Sequence, residues 1–233
     1  MHRFLAKGPF IVGSVVDLDP EQSHHAARVL RLEPGEGVGL LDGVGSFAQA
    51  VLTEVHAKHS RARVESVRQA PAPWTVTLAF GIPKGQALDV LIRRTTELGL
   101  LAFQPLQSQH SATLKGWNAE RWSGVVAEVC KQCQELRFPR VEPPALLSQW
   151  LKQRDKQRLL IVCDEAQRMS AAPATGARGI DLLVGAEGGF APEEREALQR
   201  EGALFLGLGR NRLRAETAAI VALALVKKQF GEI

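Results

Sequence analysis

Three ionisable side chains stand beside bare backbone near the C-terminal end of the chain. Glu187 lies inside the glycine segment Gly185–Gly189, and Arg214 and Glu216 follow Gly209 closely. A guanidinium offers a planar fork of donors that suits two carbonyl oxygens or a phosphate. A carboxylate held at a reacting centre is a proton acceptor. Glycine beside such groups lets a ligand reach amides and carbonyls that a Cβ would keep away. Glu216 and Arg214 also have plain structural readings. Glu216 suits a helix N-terminus through the helix dipole, and Arg214 suits an ion pair with it. Glu187 in a glycine loop has less of one, because an acid at a strand end beside bare backbone needs a reason.

The elements around these residues repeat one pattern. Ile180–Val184 reads as a buried strand, followed by the glycine segment and a helix opening near Pro192, a residue favoured in the first helical turn. Ala203–Leu208 reads as a second strand, followed by a loop and a helix from Glu216. Two strand–glycine–helix units put bare backbone at one sheet end, where α/β proteins bind nucleotide-like ligands. The loops are not standard phosphate binders. No Gly-x-x-x-x-Gly-Lys-Ser/Thr run occurs, and Arg212 stands where a dinucleotide fingerprint starting at Gly207 needs its third glycine.

The two segments, LLVGAEGGF over 182–190 and LGLGRNRLRAETAAIVAL over 206–223, resemble the signature of the RsmE family. Those are S-adenosylmethionine-dependent methyltransferases of the SPOUT class acting on N3 of a uridine in 16S ribosomal RNA. Gly185, Glu187, Gly188, Gly189, Leu208, Gly209, Leu213, Arg214, Glu216 and Thr217 fit the pattern. Ala186 replaces the family's usual proline, and Asn211-Arg212 stands where Arg-Ile is usual, shifting the basic residue by one position. The resemblance runs through Lys84–Gly99, where Arg94 takes a lysine position, and through Cys130–Pro139, where Lys131 replaces a glutamate. At the start, His25–Gly35 and Leu41–Gly43 look like the family's RNA-binding domain.

The resemblance implies an α/β fold class: an N-terminal PUA-like β-barrel over 1–70 and a C-terminal SPOUT α/β domain with a deep trefoil knot over 74–233. It implies catalytic roles at Arg214, Glu216 and Glu187. It implies an S-adenosylmethionine cradle of Leu183, Gly185, Glu187, Gly188, Leu206, Leu208, Gly209, Leu213 and Thr217. RNA contacts are expected at Arg28, Arg31, Lys84, Arg94, Arg137, Arg210 and Arg212. The expected partner is 16S rRNA or the 30S ribosomal subunit, and a homodimer is expected through the C-terminal helix. No metal and no membrane enter this reading. Two other readings stay open: a SPOUT enzyme with another RNA base or a ribose hydroxyl as target, and a non-catalytic RNA-binding scaffold of the same fold.

Composition bounds these expectations without deciding them. The chain has 233 residues, 45% hydrophobic, with a net charge of +4. Residues 1–70 carry eight basic and eight acidic side chains, so the whole excess lies in the remainder. That charge permits RNA binding and does not demand it. No run of 18 apolar residues occurs, so no membrane-spanning helix is expected. The first residues lack a signal peptide's apolar region, and three cysteines fit a reducing cytoplasm. Cys130 and Cys133 fall at i and i+3 of a predicted helix and read as core thiols rather than a zinc or redox pair. Tyrosine is absent, which excludes a tyrosine-based stacking platform for single-stranded RNA.

Along the chain, Pro20–Leu32 has helical spacing, while Val38–Leu41, Phe47–Val55 and Arg61–Val67 read as strands. Asp42-Gly43 is a hairpin turn signal. Five of the six histidines fall in residues 1–70, without metal-ligand spacing. Gln69–Pro73 reads as a stiff linker. Strands and helices then alternate, which indicates a mostly parallel sheet. Gly99 reads as a helix C-cap, and Asp164–Gly179 as a long loop. The final helix, Glu216–Phe230, is apolar on nearly every face, so all its faces are expected to be covered.

Overall fold

Alternation of side chains builds the first part of the molecule. In a computed structural model that describes residues 1–72, 74–113, 117–164 and 178–232, Ser60, Ala62 and Val64 are buried while Arg61, Arg63 and Glu65 are exposed. That two-residue period is a half-buried strand, β5 (Ser60–Gln69). It pairs antiparallel with β4 (Ser46–Glu54), which pairs antiparallel with β3 (Gly37–Leu41). Two strands not expected from sequence complete this sheet. β1 (Arg3–Leu5) runs parallel to β3, and β2 (Val15–Leu18) antiparallel to β5, giving the order β1-β3-β4-β5-β2. The core includes Phe4, Leu18, Ala26, Leu40, Leu52 and Val64.

The Asp-Gly turn signal has a specific basis. Asp42 Oδ1 accepts hydrogen bonds from the backbone N–H groups of Val44, Gly45 and Ser46 at 2.9, 3.0 and 2.8 Å. Gly43 there has φ +74°, a conformation that favours glycine. The helix read over Pro20–Leu32 is shorter and changes pitch. α1 (Pro20–His24) starts at Asp19, whose side chain accepts from Gln22 N at 2.7 Å. It continues as a π-helical turn over His25–Val29, and Arg31 then takes a left-handed φ of 54°.

The chain divides into two units: 1–73 with Cys130–Phe138, and 74–129 with 139–233. The short segment belongs with the first unit through Leu136, buried against Leu41 and Phe47. Arg137 also ties it there, donating to Val44 O at 2.5 Å and Pro71 O at 3.2 Å.

Near-continuous apolar runs build the second unit, as expected for strands covered on both faces. β11 (Ile180–Val184) is buried along its whole length. It lies between β6 (Val76–Gly81) and β10 (Leu159–Cys163). β7 (Ala102–Gln107) flanks β6, and β12 (Leu204–Leu206) flanks β10. Two-residue strands β8 (Arg140–Val141) and β9 (Ala145–Leu146) border β7, and every pairing in this sheet is parallel.

One core cluster joins the sheet to α4 (Leu147–Gln153) and α5 (Pro192–Arg200) through Leu147, Trp150, Leu151 and Leu198. α2 (Ala87–Glu97) and α6 (Ala215–Gln229) pack on each other, and α6 also meets β6 and β11. α3 (Ala119–Cys133) carries both Cys130 and Cys133. The charged Asp181 on β11 is buried and meets Arg154 Nε at 3.1 Å and Arg158 Nε at 2.7 Å, the pairing a buried charge requires.

The chain covers only one stripe of α6. Ala219, Ala222, Leu223 and Val226 are buried, whereas Leu225 is 43% exposed. The expectation that all faces are covered is therefore not met within one chain. Of the stretch read as a loop over Asp164–Gly179, residues 165–177 lie outside the described residues.

Candidate active site

The site forms where β10, β11 and β12 end together. β11 runs into a tight turn in which Gly189 N donates to Ala186 O at 2.8 Å. Gly189 then has φ +65°. β12 runs into the loop Gly207–Leu213, and α6 begins two residues later. A cavity of about 500 Å³ opens between the two loops, within the size range of small-molecule sites. Gly185, Glu187, Gly188, Leu206, Leu208, Gly209 and Leu213 line it, as the sequence led one to expect. So do Val184, Ala186, Ala215 and Ala218, which add apolar surface to the wall.

Close packing holds the first loop in place. A Cβ on Gly81, at the end of β6, would lie 2.7 Å from Ala186 N. A Cβ on Gly188 would lie 2.7 Å from the Cβ of His110. Arg212 Nη2 donates to Glu187 O at 2.9 Å, tying the second loop to the first. Glu194, in the first turn of α5, accepts from Ala191 N at 3.0 Å and from Gln109 N at 2.8 Å.

Asp164 and Arg195 were missed by sequence reading. Both line the cavity, and they form a two-point ion pair, Nη2–Oδ1 at 3.0 Å and Nε–Oδ2 at 2.9 Å. With Glu187 and Arg212, they put charge of both signs on the wall. The available signal was an acid closing the apolar run Leu159–Cys163. Cys163 also lines the cavity, and burial pushes its thiol up to about 12, with Asp164 adding to the shift.

Other expected residues lie elsewhere. Leu183 belongs to the hydrophobic core with Ala79, Leu160 and Phe190 and does not line the cavity. Strand alternation explains this, because it sends Leu183 to the face opposite its neighbours. Thr217 and Glu216, on the first turn of α6, are not on the wall. Arg214 is the exposed N-cap of α6, between the wall residues Leu213 and Ala215.

Among the expected RNA contacts, Arg28, Arg31 and Arg210 are exposed. Arg94 pairs with Glu97 at 2.8 Å on the surface of α2. Arg137 donates to the carbonyls of Val44 and Pro71.

Lys84 lines a second cleft of about 600 Å³ with Gln109, His110, Ser111, Glu187 and Gly188. Lys84 N donates to Glu187 Oε1 at 3.1 Å. His110 Nδ1 lies 2.9 Å from Gly188 O. Glu187 and Gly188 thus border both cavities. Among the described residues, no group of three or more His, Cys, Asp or Glu is arranged to hold a metal ion. None of the described helices is long and apolar enough to cross a membrane.

Comparison with known proteins adds the following. Residues 70–227 match the family model of an RNA methyltransferase domain, and residues 18–65 match that of an RNA methyltransferase PUA domain. The chain is 34% identical over 237 residues to ribosomal RNA small subunit methyltransferase E of Synechocystis sp., covering 97% of this chain and 77% of that protein. It is 35% identical over 229 residues to the protein of the same name from Mycobacterium tuberculosis, covering 92% and 86%. The crystal structure of a ribosomal RNA small subunit methyltransferase E from Neisseria gonorrhoeae bound to S-adenosyl methionine superposes with a TM-score of 0.89. The identity there is 27%, with 98% of this chain and 97% of that chain covered.

Proposed function

The chain belongs to the ribosomal RNA small subunit methyltransferase E family, and on that premise we propose that it methylates N3 of a uridine in 16S ribosomal RNA, using S-adenosylmethionine. The observation that carries this reading is the cavity shared by the two glycine loops at the ends of β11 and β12. Its walls suit the donor. Apolar side chains and bare glycine backbone fit an adenosyl group, and the Asp164–Arg195 pair offers both signs of charge to an amino-acid end. S-adenosylmethionine bound there supplies an electrophilic methyl group on a sulfonium.

The protein's own task is alignment and charge control. Holding nucleophile and methyl group close and in line supplies several kcal/mol of the barrier. The N3 of uracil carries a proton, and its removal spreads negative charge onto O2 and O4. Arg214, between two wall residues, is the guanidinium proposed to meet that charge. Glu187, on the border of both cavities, positions the reacting groups. Arg28, Arg31 and Arg210 are proposed to contact RNA phosphates, which position a substrate without reading its sequence, and Lys84, on the second cleft, is proposed to contact the RNA there.

The strand order β12-β10-β11-β6 supports a trefoil knot in the second unit. The exposed side of α6 supports a homodimer through that helix. Leu225 is the residue to test, because charge there meets no core, whereas Leu223 is fully buried. A monomeric wild-type protein at micromolar concentration by sedimentation, with full activity, would remove the dimer. The cytoplasm, where ribosomal RNA is made and assembled, is the proposed location.

The deciding experiment is transfer of radiolabelled methyl to small ribosomal subunits that lack the modification, followed by nucleoside mapping. Label in 3-methyluridine supports the reading. Label in another base or in a ribose hydroxyl assigns a different RNA target. Absence of transfer, with the donor bound, makes the chain an RNA-binding scaffold.

A further inference from the structure

His110 is the one histidine outside residues 1–70, and a backbone contact sets its tautomer. Its Nδ1 lies 2.9 Å from the carbonyl oxygen of Gly188. A carbonyl only accepts, so Nδ1 carries the hydrogen and donates. In the neutral ring the lone pair is therefore on Nε2. The ring is exposed and borders the cleft that Lys84, Glu187 and Gly188 also border. Contact at the backbone fixes the arrangement further. A side chain at Gly188 would collide with the Cβ of His110, so ring and glycine loop approach as closely as a bare backbone allows.

We propose that this cleft receives the target uracil and that His110 Nε2 is the catalytic base that takes its N3 proton. The assignment rests on the uridine-N3 reading above. The imide edge of uracil presents a donor, N3–H, between two carbonyl acceptors. Residues bordering the cleft can supply the complement: the accepting ring nitrogen of His110, and Lys84, whose side chain carries an ammonium.

Cytosine presents an unprotonated N3 in the same place, so two lone pairs would face each other. His110 thereby selects uracil as well as activating it. In the step itself, the N3–H bond breaks and an Nε2–H bond forms. The electron pair left on N3 forms the bond to the methyl carbon as the carbon–sulfur bond breaks onto sulfur. The imidazolium then returns its proton to water. The Glu187 carboxylate already accepts Lys84 N–H, so it orders the cleft while His110 takes the proton.

Two measurements on the full chain test this. Nitrogen NMR of the His110 ring in the protein without RNA should show Nδ1 protonated and Nε2 bare; the opposite tautomer overturns the proposal. Single-turnover methyl transfer to unmodified small subunits should fall by about a hundredfold or more in His110→Asn. Asparagine keeps a donor for Gly188 O and removes the Nε2 lone pair, so affinity for the methyl donor should stay within about twofold. In His110→Ala, added imidazole should restore part of the lost rate. His110→Asn at full rate, beside an active wild-type protein, overturns this assignment alone. A wild-type protein that puts no methyl on uridine overturns the parent reading and this one with it.

Discussion

The ammonium of Lys227 lies 3.3 Å from the centroid of the Trp74 ring, and the lysine is fully buried. Its charge is not left to the indole alone. Nζ donates to the carbonyl oxygens of Leu98 and Gly99, the latter at 2.8 Å. Those carbonyls lie just past the last turn of α2, where a helix exposes unpaired acceptors and attracts a cation. A residue of α6 thus caps α2.

Replacing Lys227 by methionine keeps the apolar stem and removes the cap. Two carbonyls lose their donor, at a cost of about 1–3 kcal/mol for a buried unsatisfied group. The urea midpoint of unfolding should fall accordingly, with little change in its slope. A midpoint equal to that of the wild-type protein would show that water replaces the ammonium freely.

Glycine substitutions should act on donor binding through the loop rather than through the cavity. Valine at Gly185, which lines the cavity, also presses on its own turn. A Cβ there meets Gly189 Cα at 3.2 Å and the Phe190 ring at 3.3 Å, so the strain falls on the turn itself. Gly81→Val presses on the same turn from β6. Overpacking of this kind displaces the turn that lines the cavity, so calorimetry should show donor affinity reduced about tenfold or more in both variants. Wild-type affinity in both would sink the placement of the donor.

Arg212 and Arg214 should separate into different kinetic classes. Arg212 links the two loops through Glu187 O, so Arg212→Ala should weaken donor binding. Arg214→Ala should leave donor binding nearly unchanged and lower single-turnover rates by about a hundredfold, as loss of one preorganised donor does. Arg214→Lys should recover little, since an ammonium lacks the guanidinium fork. Normal turnover in Arg214→Ala with loss in Arg212→Ala would assign the charge-stabilising role to Arg212.

The two thiols of α3 should differ in reactivity. A hydrogen bond from Cys130 holds the Cys133 thiol down at about 7, while the same bond and burial push Cys130 far above its ordinary value. The thiolate is the nucleophile. Alkylation of Cys133 by iodoacetamide should therefore rise as pH increases through about 7 and then level off. Cys130, which is fully buried, should stay unmodified in the folded protein. Peptide mass spectrometry at several pH values reads both sites, and equal labelling of the two would contradict the assignment.

The glycine loops and the parallel sheet were legible in the sequence because their signals are local. Apolar runs such as Ile180–Val184 and turn residues such as Asp42-Gly43 act within a few positions. β1 and β2 were not legible, since three and four residues carry too little periodicity to declare themselves. The attachment of Leu136 and Arg137 to the first unit depends on partners some 90 residues away in sequence, such as Val44. Leu183 was misplaced because a strand buried on both faces gives no sign of which face meets the cavity. His110 gave no sign either. Its role depends on a carbonyl 78 residues further along, brought within reach by the pairing of β6 with β7 and β11.

Among the described acids, Glu187 alone borders both cavities. Its carbonyl is held by Arg212 on the donor side, and its carboxylate holds the backbone of Lys84 on the other. If settling one cavity changes the free energy of settling the other through this residue, the linkage is reciprocal by thermodynamic necessity. If the methyl donor sharpens affinity for RNA by some factor, RNA sharpens affinity for the donor by that same factor. The spent donor, lacking the methyl group, would then loosen the modified RNA and be loosened by it. Turnover would acquire a direction from a single residue standing on the border of two cavities.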